Sequence, residues 1–456
     1  MRLSAATPLP QGVRGPGYDR DAHGFGIVHI GLGAFHKAHQ SLYTEAALEA
    51  DGGDWRTIGV SLRRPDAADA LNPQDGLYSV LTRGDDTPPR VVGNLGPVLG
   101  PLSGDCARIL ARLTDPATRL VTLTVTEKGY GRGAGGGLDE SDPAVAADLA
   151  AVPSGIPAPR SVPGLLAAAL LARRAAKAGP LTVLSCDNLA GNGHVLGALV
   201  EAMAGNAALE ATFPASMVDR ITPASTEATF ADAESALGVA DHAAVETEPF
   251  TQFVVEDNFA AERPAWEAGG AVFVADVAPH EMMKLRMLNG AHSLIAYMGQ
   301  LNGIDHVRDV VADPVLAARV DVHFEAARKT LPAVPGVDLA AYARALMARF
   351  ANRAILHKTR QIAMDGTEKL PQRIFAPAAA TLAAGGDVAP FAYATGLWMA
   401  YAARAARDGV LDDPRRDALL AAGDDPAALG AVAGLPEALA TGAFMAEAQA
   451  AFRAAR

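Results

Sequence analysis

Short apolar runs alternate with helix-forming segments through the first 276 residues of the chain. The clearest runs cover residues 26–30, 57–61, 120–125 and 181–186, and helical patterns follow them at 38–50, 105–113, 164–178 and 194–203. Strands that alternate with helices of about ten to fifteen residues are joined by crossovers, so they pair in parallel. This pattern predicts an α/β fold with a doubly wound parallel sheet. Further short strands are expected at 217–223, 250–257 and 271–276.

The pattern changes after Pro279. From there to Arg456 the sequence contains Ala-, Leu- and Arg-rich helical stretches and almost no β-branched alternation. Clusters of Gly, Asp and Pro at 384–390 and 423–426 predict breaks between helices. Because 456 residues exceed one ordinary core, two domains are expected. We predict an α/β domain over residues 1–277 and an all-α domain over residues 278–456.

The overall composition argues against several classes of protein. The net charge of −12 is unfavourable for nucleic acid or an anionic membrane as the partner. No apolar run reaches the roughly 18 residues of a transmembrane helix, and the first residues lack the apolar segment of a signal peptide. The two cysteines, Cys106 and Cys186, suit a reducing compartment better than a disulfide framework. We therefore expect a globular, cytoplasmic protein of enzyme size.

Gly31 and Gly33 lie between the first predicted strand and the first predicted helix. Glycines at this place let the backbone approach a pyrophosphate, which the free N–H groups of a helix N-terminus attract. The third position of the G-x-G-x-x-G fingerprint is His36 instead of Gly, so a plain tight turn is an equally good interpretation. The spacing of His36 and His39 suits an orienting pair better than a zinc site.

The end of the second predicted strand, at 57–64, bears on the choice of dinucleotide. An acidic residue there would bind the adenosine ribose of NAD, whereas a basic residue would bind the 2′-phosphate of NADP. The chain has Arg63 and Arg64 first and Asp66 after them. This signal favours neither cofactor. Arg63 and Asp66 are the candidate contacts, and Arg64 is better explained as a solvated loop residue.

Polar residues also follow the strands predicted at 120–125 and 181–186. Glu127 comes after the first of these strands, and Asn188 comes after the second. Open α/β sheets bind their ligands beyond the carboxyl ends of parallel strands. Both residues are therefore candidates for a binding site.

The segment 284–297 combines an apolar helical pattern with the polar residues Lys284, Asn289 and His292. At about 100° per residue in an α-helix, His292 would lie roughly 80° and Asn289 roughly 140° from Lys284, so one wide pocket could contact all three. Burial lowers the pKa of a lysine toward the range of a general base. The amide can donate to a developing alkoxide, and the imidazole can bind a hydroxyl. The alternative interpretation is a surface lysine, a capping asparagine and a core histidine.

Seven segments in order resemble the mannitol dehydrogenase family, which comprises long-chain polyol-specific dehydrogenases and their hexuronate-reducing relatives. The segments are GLGAFHKAHQ (31–40), TEKGY (126–130), SCDN (185–188), VDRITP (218–223), EPFTQFVVEDNF (248–259), KLRMLNGAHS (284–293) and QIAMDGTEKLPQR (361–373). The resemblance covers most of the chain. It implies an N-terminal Rossmann-type domain, a helical C-terminal domain, NAD as cofactor and hydride transfer without a metal.

The resemblance also assigns roles by motif. The family has G-x-G-x-F-H in the glycine turn, which accounts for His36 and implies that Phe35 belongs to the cofactor-binding turn. Lys284 is similar to the catalytic general base, and Asn188 and Asn289 resemble the pair of amides that hold the alkoxide oxygen. Three more positions have counterparts in the family. His292 resembles a ligand of a substrate hydroxyl, Glu127 an acid near the proton route, and Lys369 a lysine of the substrate pocket.

The segment 361–373 bears on the substrate. Mannitol-oxidising members of the family often have Arg where this chain has Gln361, and the segment is more similar to the fructuronate reductase branch. Lys369 or Arg373 could pair with a substrate carboxylate, although Arg373 could equally form a surface or interdomain ion pair. The leading hypothesis is an NAD-dependent interconversion of an open-chain polyol or aldonate with a ketose, of the mannitol/fructose type. The mannonate/fructuronate pair is the alternative, and NADP is not excluded.

Two other functions remain open at this point. A nucleotide-sensing module would keep the first domain without turnover, but it would not need Lys284 with its two amides. A sugar-phosphate dehydrogenase would need a basic pocket for the phosphate, which the sequence does not place. The family resemblance favours a monomer or a loose homodimer.

Overall fold

The computed structural model describes residues 1–84, 87–133, 135–205 and 207–456. The chain divides into an N-terminal unit, Met1–Val277, and a C-terminal unit, Ala278–Arg456. Within the described ranges, no helix is both long enough and apolar enough to cross a membrane.

The N-terminal unit contains strands and helices in alternation. Its strands are β1 (Ile27–Ile30), β2 (Thr57–Val60), β3 (Tyr78–Thr82), β4 (Arg90–Val92), β5 (Leu95–Leu99), β6 (Leu120–Leu123), β7 (Leu181–Ser185), β8 (Ala211–Thr212), β9 (Ser216–Asp219), β10 (Val245–Thr247), β11 (Gln252–Glu256) and β12 (Val272–Val274). Its helices are α1 (Ala34–Ala38), α2 (Gln40–Ala50), α3 (Asp66–Leu71), α4 (Leu102–Thr114), α5 (Pro143–Ala151), α6 (Val162–Ala176), α7 (Asn192–Met203) and α8 (Glu227–Leu237).

Six of the described strands form a parallel sheet in the order β5-β2-β1-β6-β7-β8. Ile27 of β1 is paired with Thr57 of β2 on one side and with Leu120 of β6 on the other, so the strand order reverses at β1. This is the Rossmann order, whose ligand site lies beyond the carboxyl ends of the strands at the reversal. Strands β1, β2, β6 and β7 are buried along their whole length, because helices cover both faces of the sheet. The predicted doubly wound sheet is confirmed.

The N-terminal unit also contains two smaller sheets, whose pairing was not predicted. They have the orders β10-β3-β4 and β12-β11-β9. The strands of one of them, β9, β11 and β12, overlap the three segments where further short strands were expected. The sheet β10-β3-β4 cannot be predicted from local sequence, because β3 pairs with the distant strand β10 and Val80 lies opposite Val245. The helix predicted at 38–50 also needs correction, since α1 already begins at Ala34. The helical path breaks at His39, where φ is −122° and ψ is −95°, and resumes as α2.

The described part of the C-terminal unit contains helices and no strand of two or more residues, as the sequence predicted. The helices are α9 (Ala278–Met283), α10 (Gly290–Asn302), α11 (Val307–Ala312), α12 (Pro314–Arg328), α13 (Leu339–Phe350), α14 (Thr359–Ala363), α15 (Gly366–Leu370), α16 (Ala376–Ala383), α17 (Ala389–Arg407), α18 (Arg416–Ala422), α19 (Pro426–Val432) and α20 (Gly442–Ala454). Two π-helical segments, Lys284–Asn289 and Pro371–Phe375, join α9 to α10 and α15 to α16. The helix breaks predicted near 384–390 and 423–426 are confirmed.

Helices α10 and α17 form the centre of the C-terminal unit. Nearly every residue of α10 is buried, and α10 packs against both α14 and α17. A helix that is apolar around its whole circumference is stable only inside a core. Helix α10, which directly continues the π-helical segment of Lys284, is therefore held from several sides.

Candidate active site

The turn between β1 and α1 contains the two predicted glycines. Gly31 has φ +92°, and a Cβ atom built on it would lie 2.2 Å from the carbonyl oxygen of Thr124, so a larger residue does not fit. Gly33 is exposed, and the nearest atom to a Cβ built there is the Gly31 oxygen at 3.8 Å. The turn is therefore tightly packed at Gly31 and open at Gly33, where a pyrophosphate could approach the backbone.

Phe35 and His36 pack inside the N-terminal unit. The ring of His36 stacks on that of His29 with centroids 3.5 Å apart, and Phe35 stacks on His39 at 4.9 Å. His36 is fully buried, and within the described residues neither of its ring nitrogens has a hydrogen-bond partner. Burial, followed by the charges of neighbouring side chains, holds the pKa of His36 well below its usual value. The neutral imidazole thus supports the glycine turn by packing.

The segment after β2 exposes its charged residues. The strand predicted at 57–64 ends at Val60, because the Ser61 hydroxyl closes a turn by donating to the carbonyl of Arg64. Arg63, Arg64 and Asp66 are all exposed. Arg64 Nε lies 3.2 Å from Asp66 Oδ2, an ion pair of the kind that contributes little to stability. This strand end therefore presents acidic and basic side chains next to each other.

Glu127 and Asn188 follow two neighbouring strands of the sheet. Strand β6 pairs in parallel with both β1 and β7, so the three carboxyl ends lie at one edge. The Thr124 hydroxyl donates to the Gly31 carbonyl at 2.9 Å and joins the glycine turn to the segment that leads to Glu127. Glu127 and Asn188 are both exposed. The structure thus brings the glycine turn, Glu127 and Asn188 to the same edge.

A buried carboxylate connects the ends of β6 and β7. Asp187 accepts hydrogen bonds from the backbone N–H groups of Thr126 at 2.8 Å and Val125 at 3.2 Å. The phenolic O–H of Tyr130 donates to the same carboxylate at 3.1 Å. Burial raises the pKa of Asp187, whereas these hydrogen bonds act in the opposite direction. Asp187 therefore ties the segment before Glu127 to the segment before Asn188.

Lys284 and Asn289 lie at the two ends of a π-helical segment. The N–H of Gly290 donates to the carbonyl of Leu285, five residues earlier, instead of four as in an α-helix. The angle of roughly 140° between Lys284 and Asn289 assumed an α-helix and is wrong for this segment. Because a π-helix bonds residues five apart, Lys284 and Asn289 project from about the same side. Each is largely buried, with 9% of its surface exposed.

His292 packs among aromatic side chains of the C-terminal unit. The centroid of its ring lies 4.7 Å from that of Phe350 and 5.1 Å from that of His357. Its Nε2 atom is buried and has no hydrogen-bond partner within the described residues. Burial is the main reason why its pKa lies well below the usual value, and four neighbours lower it further, namely His357, Arg349, Arg373 and Lys284. The imidazole is therefore neutral, with one nitrogen available for a hydrogen bond.

Arg373 and Lys369 belong to the second π-helical segment and the helix before it. Arg373 Nη1 donates to the Asn289 carbonyl at 3.4 Å and to the Ser293 hydroxyl at 3.2 Å. Lys369 Nζ donates to two backbone carbonyls, the shorter bond being 2.7 Å, and lies 3.5 Å from the carboxylate of Asp365. Burial, followed by the charge of Arg373, lowers the pKa of Lys369. Among the described side chains, no carboxylate forms an ion pair with Arg373.

Two residues at the sheet edge, Asp187 and Thr126, have a structural role that was not predicted. Asp187 belongs to the quoted segment SCDN and lies two residues after the end of β7, a position that by itself is equally typical of an ordinary surface acid. Thr126 has φ +65°, which no sequence signal could have indicated because β-branched residues avoid this region. Within the described ranges, no group of three or more His, Cys, Asp or Glu side chains is arranged to hold a metal ion.

The fold and these residues define a class of protein. A Rossmann-ordered sheet with an open glycine turn, followed along the chain by a helical unit with a buried lysine, is typical of nucleotide-dependent oxidoreductases. The chain belongs to the mannitol dehydrogenase family. Residues 25–268 match the family model of the mannitol dehydrogenase Rossmann domain, and residues 276–448 match that of the mannitol dehydrogenase C-terminal domain.

Individual relatives agree with this assignment. The D-mannonate oxidoreductase of Escherichia coli (strain K12) is 42% identical over 85% of this chain and 82% of its own length. The mannitol 2-dehydrogenase of Cereibacter sphaeroides is 38% identical over 89% of this chain and 87% of its own length. The solved structure of Pseudomonas fluorescens mannitol 2-dehydrogenase, a ternary complex with NAD and D-mannitol, is similar with a TM-score of 0.84 and 33% identity, covering 100% of this chain and 96% of that one. The chain is thus an oxidoreductase, and the family predicted from its motifs is confirmed.

Proposed function

We propose that the chain uses NAD to interconvert a secondary alcohol of an open-chain polyol or aldonate with the corresponding ketone. Two relatives are named for D-mannonate and for mannitol, and the solved neighbour is a complex with NAD and D-mannitol. Of the two substrate types, we propose the aldonate, of the mannonate/fructuronate kind, as the preferred one.

The glycine turn supports the cofactor part of the proposal. Gly31 lets the chain pass close to Thr124, and the open backbone at Gly33 leaves room for a pyrophosphate. Arg63 and Asp66 are exposed after β2, where the adenosine ribose would lie. A dinucleotide held at this turn would supply the hydride acceptor for the alcohol carbon or, when reduced, the hydride donor for the ketone.

Lys284 is proposed as the general base. Oxidation of a secondary alcohol requires removal of the hydroxyl proton while hydride leaves the carbon, and the neutral amine of a buried lysine can take that proton. Asn188 and Asn289 are proposed to donate hydrogen bonds to the alkoxide oxygen, which carries most charge near the transition state. In the reverse direction, the ammonium form of Lys284 protonates the oxygen. Glu127 is proposed to lie on the proton route, and His292 to bind a neighbouring substrate hydroxyl.

The preference for an aldonate is carried by the cationic environment of His292. Arg373, Arg349 and Lys284 all lower the pKa of His292, which means that their positive charges lie near it. Arg373 hydrogen-bonds to neutral oxygen atoms, and among the described residues the carboxylate of Asp365 acts on it electrostatically without forming an ion pair with it. A carboxylate is the substrate group that a guanidinium binds best, through two parallel hydrogen bonds. Mannitol has no such group.

The first test is a substrate and cofactor panel. Mannonate, fructuronate, mannitol and fructose are each assayed with NAD or NADP in the matching redox state, by the absorbance of the reduced nicotinamide. We expect the highest kcat/KM with mannonate and fructuronate. Faster turnover of mannitol and fructose would refute the aldonate preference, and silence with all four would refute the enzyme assignment.

A second test concerns the general base. Lys284→Ala should lower kcat by roughly 10²- to 10⁴-fold, the usual contribution of a positioned acid–base group, while the Kd for NADH stays the same. The matched control is Lys329→Ala, which removes an exposed lysine of the same unit. Equal kcat values for the two variants would rule out Lys284 as the base.

A third test separates the two substrate types. Arg373→Met removes the proposed carboxylate contact and should lower kcat/KM for mannonate roughly 10- to 100-fold more than for mannitol, since hydrogen bonds to charged groups contribute about 1.5–3 kcal/mol. The side chain also holds Asn289 and Ser293 in place. That structural effect acts on both substrates alike and cancels in the ratio. A ratio unchanged from the parent would show that Arg373 does not bind the carboxylate.

A further inference from the structure

Thr126 has a backbone conformation that its side chain disfavours. Its φ is 65° and its ψ is 162°, a combination that is populated essentially only by glycine. Thr126 directly precedes Glu127. A β-branched residue in this region persists only where surrounding contacts fix it, and such residues cluster at functional sites.

The contacts that fix Thr126 come from Asp187. Asp187 Oδ1 accepts from the N–H of Thr126, and Oδ2 accepts from the N–H of Val125 and from the hydroxyl of Tyr130. Tyr130 also hydrogen-bonds the Ser185 hydroxyl at the end of β7, so both ends of the segment 125–130 are held from β7. Only an ionised carboxylate offers acceptors to all of these donors at once, because an amide replaces one oxygen by a donor.

The backbone of Asp187 is fixed as well. Its carbonyl accepts from the Asn192 side chain at 2.9 Å, and its own N–H donates to the Ser185 hydroxyl at 3.2 Å. Asn188 is the next residue. One residue therefore determines the path of the chain into Asn188 and, through its carboxylate, the path into Glu127.

We infer that Asp187 is the positioning residue of this edge, holding Thr126 in its strained conformation so that Glu127 and Asn188 keep a fixed separation. The inference rests on the proposed function, in which Glu127 serves the proton route and Asn188 the alkoxide. Asp187 itself has no substrate contact in this scheme, and its effect on the reaction passes through its two neighbours.

The test compares Asp187→Asn, Thr126→Gly and the double variant with the parent protein. Asp187→Asn keeps the volume but turns one acceptor into a donor facing an N–H group. Glycine adopts the Thr126 conformation without strain, so Thr126→Gly removes the need for the carboxylate. Asp148→Asn is the matched control. Asp148 is also buried in the N-terminal unit and also accepts from consecutive backbone N–H groups, those of residues 160 and 161.

We expect Asp187→Asn to lower kcat roughly 10- to 100-fold, the range typical of a displaced catalytic group, with little change in the KM for NAD. The pH profile of kcat should change with it, because Glu127 is displaced from the proton route. The double variant should recover most of the lost kcat, and Asp148→Asn should keep the parent kcat. Amide hydrogen exchange of the segment 120–130 should be faster in Asp187→Asn than in the parent.

Several results would overturn the inference. They are a parent-like kcat in Asp187→Asn, unchanged hydrogen exchange, an equal loss of kcat in the Asp148 control, or no recovery in the double variant. These are distinct from failure of the proposed function. A parent protein that turns over none of the panel substrates refutes the proposed function, and the catalytic role of Asp187 falls with it. A parent that turns over while Asp187→Asn is unaffected refutes the positioning role alone.

Discussion

His29 provides a prediction whose size follows from its surroundings. The imidazole lies on β1 before the glycine turn, is fully buried, and is hydrogen-bonded to the hydroxyls of Thr122 at 2.8 Å and Thr124 at 2.9 Å. Burial lowers its pKa to about 3, compared with about 6.5 for an exposed histidine. Between these two values the unfolded chain binds a proton that the folded chain does not. The contribution of the neutral His29 to the free energy of unfolding is therefore fully present above pH 6.5 and is lost as the pH falls toward 3.

The expected loss can be calculated for an accessible pH interval. Each pH unit below 6.5 costs about 1.4 kcal/mol for one such group, so His29 should lower the free energy of unfolding by about 2.7 kcal/mol between pH 7.5 and pH 4.5. Urea unfolding followed by tryptophan fluorescence measures this quantity. Trp55 and Trp266 report on the N-terminal unit, and a Trp398→Phe background removes the signal of the C-terminal unit.

The comparison is made with His29→Gln. The variant should be less stable than the parent at pH 7.5, because a glutamine side chain reproduces the two hydrogen bonds of the imidazole only imperfectly. The decrease of its free energy of unfolding between pH 7.5 and 4.5 should, however, be smaller than that of the parent by about 2–3 kcal/mol. His242→Gln is the control, since the exposed imidazole of His242 is hydrated in the folded and the unfolded chain alike. If His29→Gln and the parent lose the same free energy over the interval, the His29 imidazole is not a desolvated, neutral group and the reasoning is wrong.

Two glycines give further predictions. Gly31→Ala should destabilise the protein by about 1–3 kcal/mol and weaken NADH binding in a fluorescence titration, because the new methyl group meets a backbone oxygen at 2.2 Å. Gly12→Ala is its control, with a nearly identical φ of +91° and no atom within 4 Å, so equal thermal shifts would refute a steric effect. Gly290→Ala should lower both Tm and kcat, since its methyl group would lie 2.7 Å from Nε2 of His323 beside the π-helical segment. Gly104→Ala, in a helix and without close neighbours, should leave both unchanged or raise Tm slightly.

The parallel sheet could be predicted from the sequence because its central strands are buried on both faces. The mainly apolar runs at β1, β6 and β7 lack the apolar–polar alternation of a half-exposed strand, as expected for a buried parallel sheet. The helices between them have the length of a crossover. The helical C-terminal unit was predictable for the opposite reason, since β-branched runs are nearly absent there. Strands β3 and β4 were missed. Strand β4 has three residues and pairs only with β3, whose other partner, β10, lies far along the chain, so no local pattern marks this sheet.

The candidate site was predictable as a set of residue types and motifs but not as a geometry. The family motifs pointed to Lys284, Asn188 and Asn289, and the sheet edge pointed to Glu127. Nothing in the sequence distinguishes Asp187 from an ordinary surface acid after a strand. Its role depends on N–H groups about 60 residues earlier in the chain. Contacts of this kind are set by the folded sheet and not by local spacing.

The π-helical segment shows most clearly why spacing alone misplaces the side chains of Lys284 and Asn289, for which we propose catalytic roles. A π-helical turn is rare and occurs mostly as a single turn inside an α-helix, where neighbouring groups can satisfy its displaced backbone groups. Here His323 Nε2 donates to the Arg286 carbonyl at 3.1 Å, and Arg373 donates to the Asn289 carbonyl. Gly290 leaves room for both, because a Cβ there would contact His323 and the Arg373 carbonyl.

These contacts come from α12 and from the second π-helical segment, so the irregular turn is fixed by the core of the C-terminal unit. Lys284 and Asn289 are five residues apart, a separation that places them on different sides of an α-helix and on about the same side of a π-helix. A base and an oxyanion donor must address the same oxygen atom. With the roughly 140° of an α-helix, only a wide pocket could contact both side chains, whereas the π-helical segment brings them to about the same side.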